Sequence, residues 1–350
     1  MASLSDISII IPTRNRASHL LKTLISIAAV VTSQDRAEII IVDNGSTDDT
    51  AKICRDIKSR FPKHNWRYFY DEMPGLLTGR HLGAREARGD ILAFLDDDVL
   101  LAPSWLEALS DAFGRPDVVL TGGPTWPYYE VEPPFWLAGM WIEFEKGVRV
   151  LGELSLVDLG PIKRDADPLY IPGANFAIRK TAFQSCGGFH PDCIPKPLQR
   201  FQGDGEIGLA LKMKSQGLRA LYHPGAAVKH VIPAARLTPE SFEQRGFYQG
   251  VGDAYSKIRR DGFLAEGTKP WKDHVRPIKW KLERQSLLRN PTSENIRFLV
   301  ARARFAGRWF LEDEVRKDSK LLQWVLKPDY FDYRLPDGWE NHLDPGNAYH

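Results

Sequence analysis

The chain has 350 residues, 43% of them hydrophobic and 26% charged, with a formal net charge of +2. That balance is ordinary for a soluble globular protein of one large domain or two modest ones, and it excludes the strongly basic profile of a nucleic-acid binder. The longest apolar runs, such as "LISIAAVV" (24–31), fall short of the roughly 20 residues of a bilayer span, and no leader-like segment opens the chain; three cysteines without C-x-x-C spacing favour a reducing cytoplasm over a disulfide framework or a zinc site.

The predicted elements alternate from the start. "ISIII" (7–11) reads as a buried strand and "ASHLLKTLISIAAV" (17–30) as a helix. "AEIIIV" (37–42) is a second strand, followed by the helix "TDDTAKICRDIKSR" (47–60). A third strand, "WRYFYD" (66–71), a helix, "TGRHLGAREARG" (78–89), and a fourth strand, "ILAFL" (91–95), complete the series. Continuous apolar strands separated by amphipathic helices predict a mostly parallel, doubly wound α/β sheet, which binds ligands outside the carboxyl ends of its strands. Three of those ends are polar: "PTRNR", "DNGSTD" and "DDD". Beyond "VVLTGG" (118–123), the aromatic and proline-rich stretch 124–141 reads as loops and short helices that shape a pocket. An ordered block at 170–189, a helix at 206–217 and the segment 218–231 follow. From about residue 236 the chain turns basic and aromatic with helical periodicity.

Asp96, Asp97 and Asp98 stand where the fourth strand ends. One reading is a polar turn capping the next helix, although Pro103 and Ser104 already supply a helix start. The other is a divalent cation, Mg2+ or Mn2+, whose charge relieves the repulsion and holds a diphosphate. Asp43 ends the second strand and is expected to accept a hydrogen bond from a ligand. Asp48 and Asp49 suit a first helical turn. Neither G-x-G-x-x-G nor G-x-x-x-x-G-K appears where a dinucleotide fold or a P-loop would need it.

In order and spacing, "ISIIIPTRNR", "IIIVDNGSTDDT", "GLLTGRHLGAREARGDILAFLDDDV", "PGANFAIRKTAF…GGF" and "GDGEIGLALKMKSQG…HPGAAVKHV" resemble the family 2 glycosyltransferases of the GT-A fold. The resemblance covers residues 7 to about 231 and implies a catalytic domain over 1–235. Its nucleotide-binding half would be 1–123 and its acceptor and catalytic half 124–235, with a helical basic-aromatic extension over 236–350. It implies an inverting transfer of a sugar from a nucleotide diphosphate donor, by default a UDP-sugar, to an acceptor hydroxyl on a saccharide, a lipid-linked glycan or another carrier. By the same resemblance Pro12, Thr13 and Asp43 hold the nucleotide, with Arg14 standing where relatives often carry an aromatic residue. Arg80 lies by the nucleotide, or else is a solvated helix charge. Asp96 faces the ribose, Asp97 lies near the ribose or sugar, and Asp98 ligates the metal, with His230 a further ligand or else a core histidine. Gly173 and Asn175 contact donor sugar or acceptor. The aspartate of the family's Glu-Asp motif falls on Asp204, with Gly203 replacing the glutamate. Asp204 is then the general base or a helix cap, and Glu206 is its runner-up. Two alternatives stand beside this reading. A nucleotidyltransferase would share the sheet but carry a Gly-rich first loop, which "PTRNR" is not. A non-catalytic sugar-nucleotide binder finds its support in the altered "GDGE".

Trp126, Tyr128, Tyr129, Trp136 and Trp141 suit either sugar stacking or core filling. In 294–314, helical spacing puts Phe298, Leu299, Phe305, Ala306, Trp309 and Phe310 on one side and Arg297, Arg304 and Arg308 opposite, with Arg302 intruding into the apolar side. The expected packing places the apolar side on the catalytic domain and the arginines in water. The alternative is a peripheral contact with the inner face of a membrane.

Overall fold

The computed structural model describes residues 6–32, 35–73, 75–263 and 277–332. Segments 264–276 and 333–350 of the predicted extension lie outside the described residues. The chain opens with β1 (Ile7–Thr13), α1 (Ala17–Val30), β2 (Ala37–Asp43), α2 (Thr50–Arg60), β3 (Trp66–Tyr70), α3 (Leu76–Glu86), β4 (Ile91–Leu95), β5 (Val99–Leu101), α4 (Trp105–Phe113) and β6 (Val118–Gly122). It continues through β7 (Thr125–Tyr129), β8 (Ile142–Glu145), β9 (Val148–Leu151), β10 (Leu156–Asp158), β11 (Arg164–Ala166), β12 (Asn175–Arg179), α5 (Lys180–Ser185), α6 (Gly205–Ser215), β13 (Arg219–Tyr222) and β14 (Val228–Ile232). Four helices follow: α7 (Pro239–Asp261), α8 (Pro277–Arg289), α9 (Ser293–Lys317) and α10 (Ser319–Val325).

The main sheet has eight strands in the order β11-β13-β6-β12-β4-β1-β2-β3. β4, β1, β2 and β3 are mutually parallel, whereas β12 runs antiparallel between β4 and β6. Every strand residue from Ile7 to Thr13 is buried, because both faces are covered. Ile9, Ile11, Ile39, Ile41, Ala93 and Leu95 pack on one side with Leu20, Leu24, Ile57 and Trp105. Ile10, Ile40, Val42, Leu92 and Phe94 pack on the other with Leu77, Phe183, Leu209 and Met213. This alternation across a period of two puts the strand ends, and the loops leaving them, on one edge.

A second sheet of six strands, β5-β14-β7-β10-β9-β8, was not legible in the sequence. Residues 124–141, expected as loops and short helices, contain β7 and a 3-10 turn over Phe135–Met140. Prolines disguise the strand, but β10 meets β7 only at Thr125, so β7 beyond that residue has one unpaired edge, where a proline is tolerated. Its aromatic residues divide. Trp136 is core, edge-on to Phe242 at 4.9 Å, and Trp141 lies under Arg149, whereas Trp126 and Tyr128 project outward.

The amphipathic expectation for 294–314 needs correction. The buried side of α9 is Ile296, Leu299, Gly307, Leu311 and Val315, while Phe298 and Phe305 are 47% and 42% exposed. Arg304 and Arg308 stay partly exposed, as expected, but share the Asp253 carboxylate of α7, at 2.6 and 2.8 Å, and Arg297 donates to Gly139 O. The arginines sit on the seam because glycines let the two backbones approach. A methyl group added at Gly250 would lie 1.9 Å from Arg304 O, and one at Gly307 would lie 2.0 Å from Phe247 O. Among the described residues no helix is long and apolar enough to cross a membrane.

Gly250→Ala should therefore destabilise the protein by about 1–3 kcal/mol or more, since backbone blocks the methyl and overpacking exceeds the gain in helix propensity. Gly252→Ala, two residues along the same helix, meets nothing closer than 3.6 Å and should be neutral or stabilising by up to about 1 kcal/mol. Urea unfolding of both variants measures the contrast; equal effects would show that the helix seam is looser than described.

Candidate active site

The loops after β1 and β2 are stitched together before any ligand is considered. Asn15, in the left-handed region at φ 51°, accepts from Thr47 N at 2.7 Å and donates its own amide to Ser46 Oγ at 2.9 Å. Asp43 is committed within the protein: Oδ1 accepts from Ser46 N at 2.8 Å and Oδ2 from the Tyr68 hydroxyl at 2.7 Å. The residue expected to meet a ligand is thus already held within the protein, although each carboxylate oxygen keeps a second lone pair. Pro12 is buried against α3, where Gly79 leaves room for its ring. Arg14 is half-buried in the same loop.

The three consecutive aspartates diverge. Asp97 is buried away from Asp96; its Oδ2 accepts from Thr13 Oγ1 at 2.6 Å and its Oδ1 pairs with Arg16 Nε at 2.9 Å. Burial, then the adjacent carboxylate of Asp98, pushes Asp97 up to about 7 against the pull of Arg16. Asp97 and Thr13, expected at the nucleotide, are therefore bound to each other. Arg16 also reaches Asp98 Oδ2 at 2.6 Å. Burial alone would raise Asp98, but the positive groups around it, the Arg16 and Arg236 guanidiniums among them, outweigh it and hold this carboxyl below its ordinary range.

Asp96 belongs to a different group. Arg80, 1% exposed, reaches Asp96 Oδ1 at 2.8 Å and Gly173 O at 3.0 Å, and its other terminal nitrogen lies 3.7 Å from Glu206 Oε2. The reading of Arg80 as a solvated charge is thereby removed. Gly173 is needed at this position, because an added methyl group would fall 2.8 Å from the guanidinium and 2.9 Å from Glu206 Oε1. Its amide lies 3.4 Å from the same Glu206 oxygen.

Asp96, Asp98 and His230 each offer a ligand atom, all within 4.8 Å of one another. His230 Nδ1 lies 3.0 Å from Leu154 O, so Nδ1 carries the ring proton and Nε2 presents a lone pair toward Asp98 Oδ1, 3.2 Å away. That Asp98 oxygen is buried with no hydrogen-bond partner. Two carboxylates and one imidazole, with an orphaned buried oxygen, fit a divalent ion that also takes phosphate oxygens. The cluster thus contains Asp98 and His230, expected as metal ligands, together with Asp96, expected at the ribose.

Two further expectations change. Asn175 is a brace rather than a ligand contact: its Oδ1 accepts from Trp105 Nε1 at 3.0 Å and its Nδ2 donates to Ala226 O at 2.7 Å, with the residue 1% exposed. Asp204 stands at the start of α6 without capping it; its side chain is buried, one oxygen on His190 Nδ1 and the other on the Ser256 hydroxyl of α7. Burial keeps His190 below its ordinary value even beside Asp204, so neutral His190 donates Nδ1–H to the carboxylate. Glu206, two residues on, has a side chain 27% exposed beside Arg80.

The sequence reading passed over three residues. Arg16 sits two positions past Arg14 in "PTRNR". Asp192 lies against Gly205, whose added methyl group would be 2.6 Å from its Oδ2, and burial and Glu206 push Asp192 up to about 6. Arg236, six residues after His230, donates to His230 Nε2 at 3.0 Å. For Arg16 alone was there a signal, a second arginine in a loop at a strand's carboxyl end.

Residues 8–186 match the model of the family described as Glycosyl transferase family 2. The validoxylamine A glucosyltransferase of Streptomyces hygroscopicus subsp. jinggangensis is 30% identical over 232 residues, 61% of this chain and 52% of that protein. A glucosyl-dolichyl phosphate glucuronosyltransferase of Haloferax volcanii is 29% identical over 196 residues, 53% of this chain and 56% of its own length. The chain thus spans about half the length of these curated relatives. Among solved structures, the Pyrobaculum calidifontis mannosyltransferase PcManGT, solved with GDP-Man and Mn2+, superimposes with a TM-score of 0.52 at 17% identity, over 94% of this chain and 88% of that one. The family match extends from β1 through α5, the same stretch that delivers Thr13, Asp43, Arg80, Asp96–Asp98 and Gly173 to one edge of a GT-A sheet, and the chain belongs to glycosyltransferase family 2.

Proposed function

We propose that this protein is a divalent-metal-dependent, inverting glycosyltransferase that moves a sugar from a nucleotide diphosphate donor to an acceptor hydroxyl. The observation that carries the reading is the adjacency of the Asp96, Asp98 and His230 cluster to Glu206 across a single buried guanidinium, that of Arg80. When bound there, a divalent ion supplies neutralisation of the departing diphosphate. Asp96, Asp98 and His230 would hold it, and the loops after β1 and β2 would orient the nucleoside. Glu206 is proposed as the general base, in place of Asp204. It takes the acceptor proton while the acceptor oxygen bonds to the anomeric carbon and the bond from that carbon to the phosphate oxygen breaks. Support for this choice is steric: Asp204 has both oxygens occupied by His190 and Ser256, whereas the Glu206 side chain is 27% exposed beside Arg80.

A UDP-sugar is taken as the donor. The names of the two relatives point to validoxylamine A and to a glucosyl-dolichyl phosphate as acceptor classes. A membrane-binding role for 294–314 is left aside, because Arg304 and Arg308, which such a role would use, already share the Asp253 carboxylate. A panel of UDP- and GDP-sugars, with Mn2+ or Mg2+ and both acceptor classes, scored by nucleoside diphosphate release and by the anomeric configuration of the product, tests the reading. Retention of configuration would overturn the single displacement.

Two variant series give expected outcomes. Asp98→Ala should abolish transfer and weaken nucleoside diphosphate binding in the presence of Mn2+ by at least about tenfold, read by calorimetry. Full activity after chelation of the wild type would remove the metal from the proposal. Glu206→Gln should lower kcat by at least about a hundredfold while the donor Kd changes little. Asp204→Asn should instead lower the unfolding midpoint, because it disrupts a buried hydrogen-bonded carboxylate. An Asp204→Asn protein of unchanged stability and no turnover would return the base to Asp204.

A further inference from the structure

The ring of His230 can serve one cation at a time. Its Nδ1 proton is directed to Leu154 O, which leaves a single in-plane lone pair on Nε2. That lone pair already has a partner, the Arg236 guanidinium, which donates from 3.0 Å. Yet Nε2 also faces the orphaned Asp98 Oδ1 at 3.2 Å, and both atoms belong to the cluster that fits a divalent ion. The guanidinium therefore uses the direction along which a metal would bond to nitrogen.

We propose that Arg236 is an internal placeholder cation, exchanged for the divalent ion at His230 Nε2 and released to pair with an anionic phosphate oxygen of the donor. This rests on the metal-dependent reading of the site. Arg236 closes the short turn Ala234–Arg236 between β14 and α7, with Ala234 and Ala235 exposed and Leu237 anchored in the core behind it. Rotation of its long side chain vacates Nε2 without moving that anchor. The exchange also fits the charge present. Before an ion is bound, Asp96 and Glu206 face Arg80 while Asp97 and Asp98 face Arg16, and a divalent ion would add two positive charges beside Arg236 that a diphosphate would offset. Metal and nucleotide should accordingly bind with positive coupling, each raising the affinity of the other by the same factor.

Mn2+ binding to the full chain, followed by the electron paramagnetic resonance signal of free Mn2+ with and without UDP, tests this. Arg236→Met keeps the stem and removes the donor. It should bind Mn2+ alone at least about fivefold more tightly than the wild type, because the competitor for Nε2 is gone, and should lose most of the tightening that UDP causes. Arg245→Gln removes a neighbouring charge without touching His230 and should leave Mn2+ affinity within about twofold. Equal Mn2+ affinity for Arg236→Met and the wild type overturns the exchange while leaving the metal site standing, and so does tightening by Arg245→Gln to the same degree. Absence of Mn2+ binding in every protein overturns the metal-dependent reading itself, and the exchange with it. Should Arg236→Met fail to fold, the wild type still decides the matter by NMR. The side-chain Nε resonance of Arg236 should shift on adding Mg2+ while that of Arg245 stays, and an unmoved Arg236 signal overturns the exchange.

Discussion

Three adjacent carboxylates at the end of an inner strand must each find a positive or donor-rich partner, because desolvation and mutual repulsion both oppose their ionisation. The partners come from separate parts of the chain. Arg16 follows β1, Arg80 lies in α3, and His230 lies in β14. Since β14 belongs to the second sheet, the charge requirement at the end of β4 joins the two sheets at the site. It also separates the aspartates by role. Asp97 is consumed in holding the β1 loop, and that leaves Asp96 and Asp98 to converge on His230.

Space is as tightly allotted as charge. Arg80 can be fully buried and still reach Asp96, Glu206 and a main-chain carbonyl because Gly173 offers no side chain. Gly205, with φ at +56°, turns the chain at the start of α6 so that Asp204 and Glu206 leave in different directions. Asp204 goes inward to His190 and to Ser256 of α7. The helical extension thereby fixes the first turn of α6, and with it the backbone that carries Glu206. The close α7–α9 seam and the apolar cluster of Val251, Tyr255, Leu311 and Trp324 hold Ser256 in place. Packing far from the cleft thus bears on the position of a carboxylate within it.

The parallel core was legible because its signal is local. A run such as Ile7 to Ile11, buried on both faces, and helices of matching period needed no knowledge of distant contacts. The six-stranded second sheet was not legible, because its strands are short, β7 contains a proline, and their partners lie far along the chain; Thr125 of β7 pairs with Val228 of β14. The same limit applied to the tail. Spacing marked residues 294–314 as a helix, but the buried side follows the glycines that meet α7 and leaves two phenylalanines half in water.

At the site, the sequence alone determined which strand ends carry polar clusters and that three carboxylates stand at one of them, whereas His230 was placed beside them only by the family resemblance. Residue type and position along a strand suffice for the polar clusters, since strand ends in such a sheet share one edge. Tertiary structure alone decided which carboxylates face the cleft. Thr13 and Asp97 are 84 residues apart, and Arg16 and Asp98 are 82. No local pattern says that this threonine and this arginine will claim Asp97, or that Ser256 will claim Asp204. Burial makes those claims binding: a carboxylate removed from water must be satisfied by whatever donor the packed chain brings to it, and the one left beside solvent remains available for chemistry.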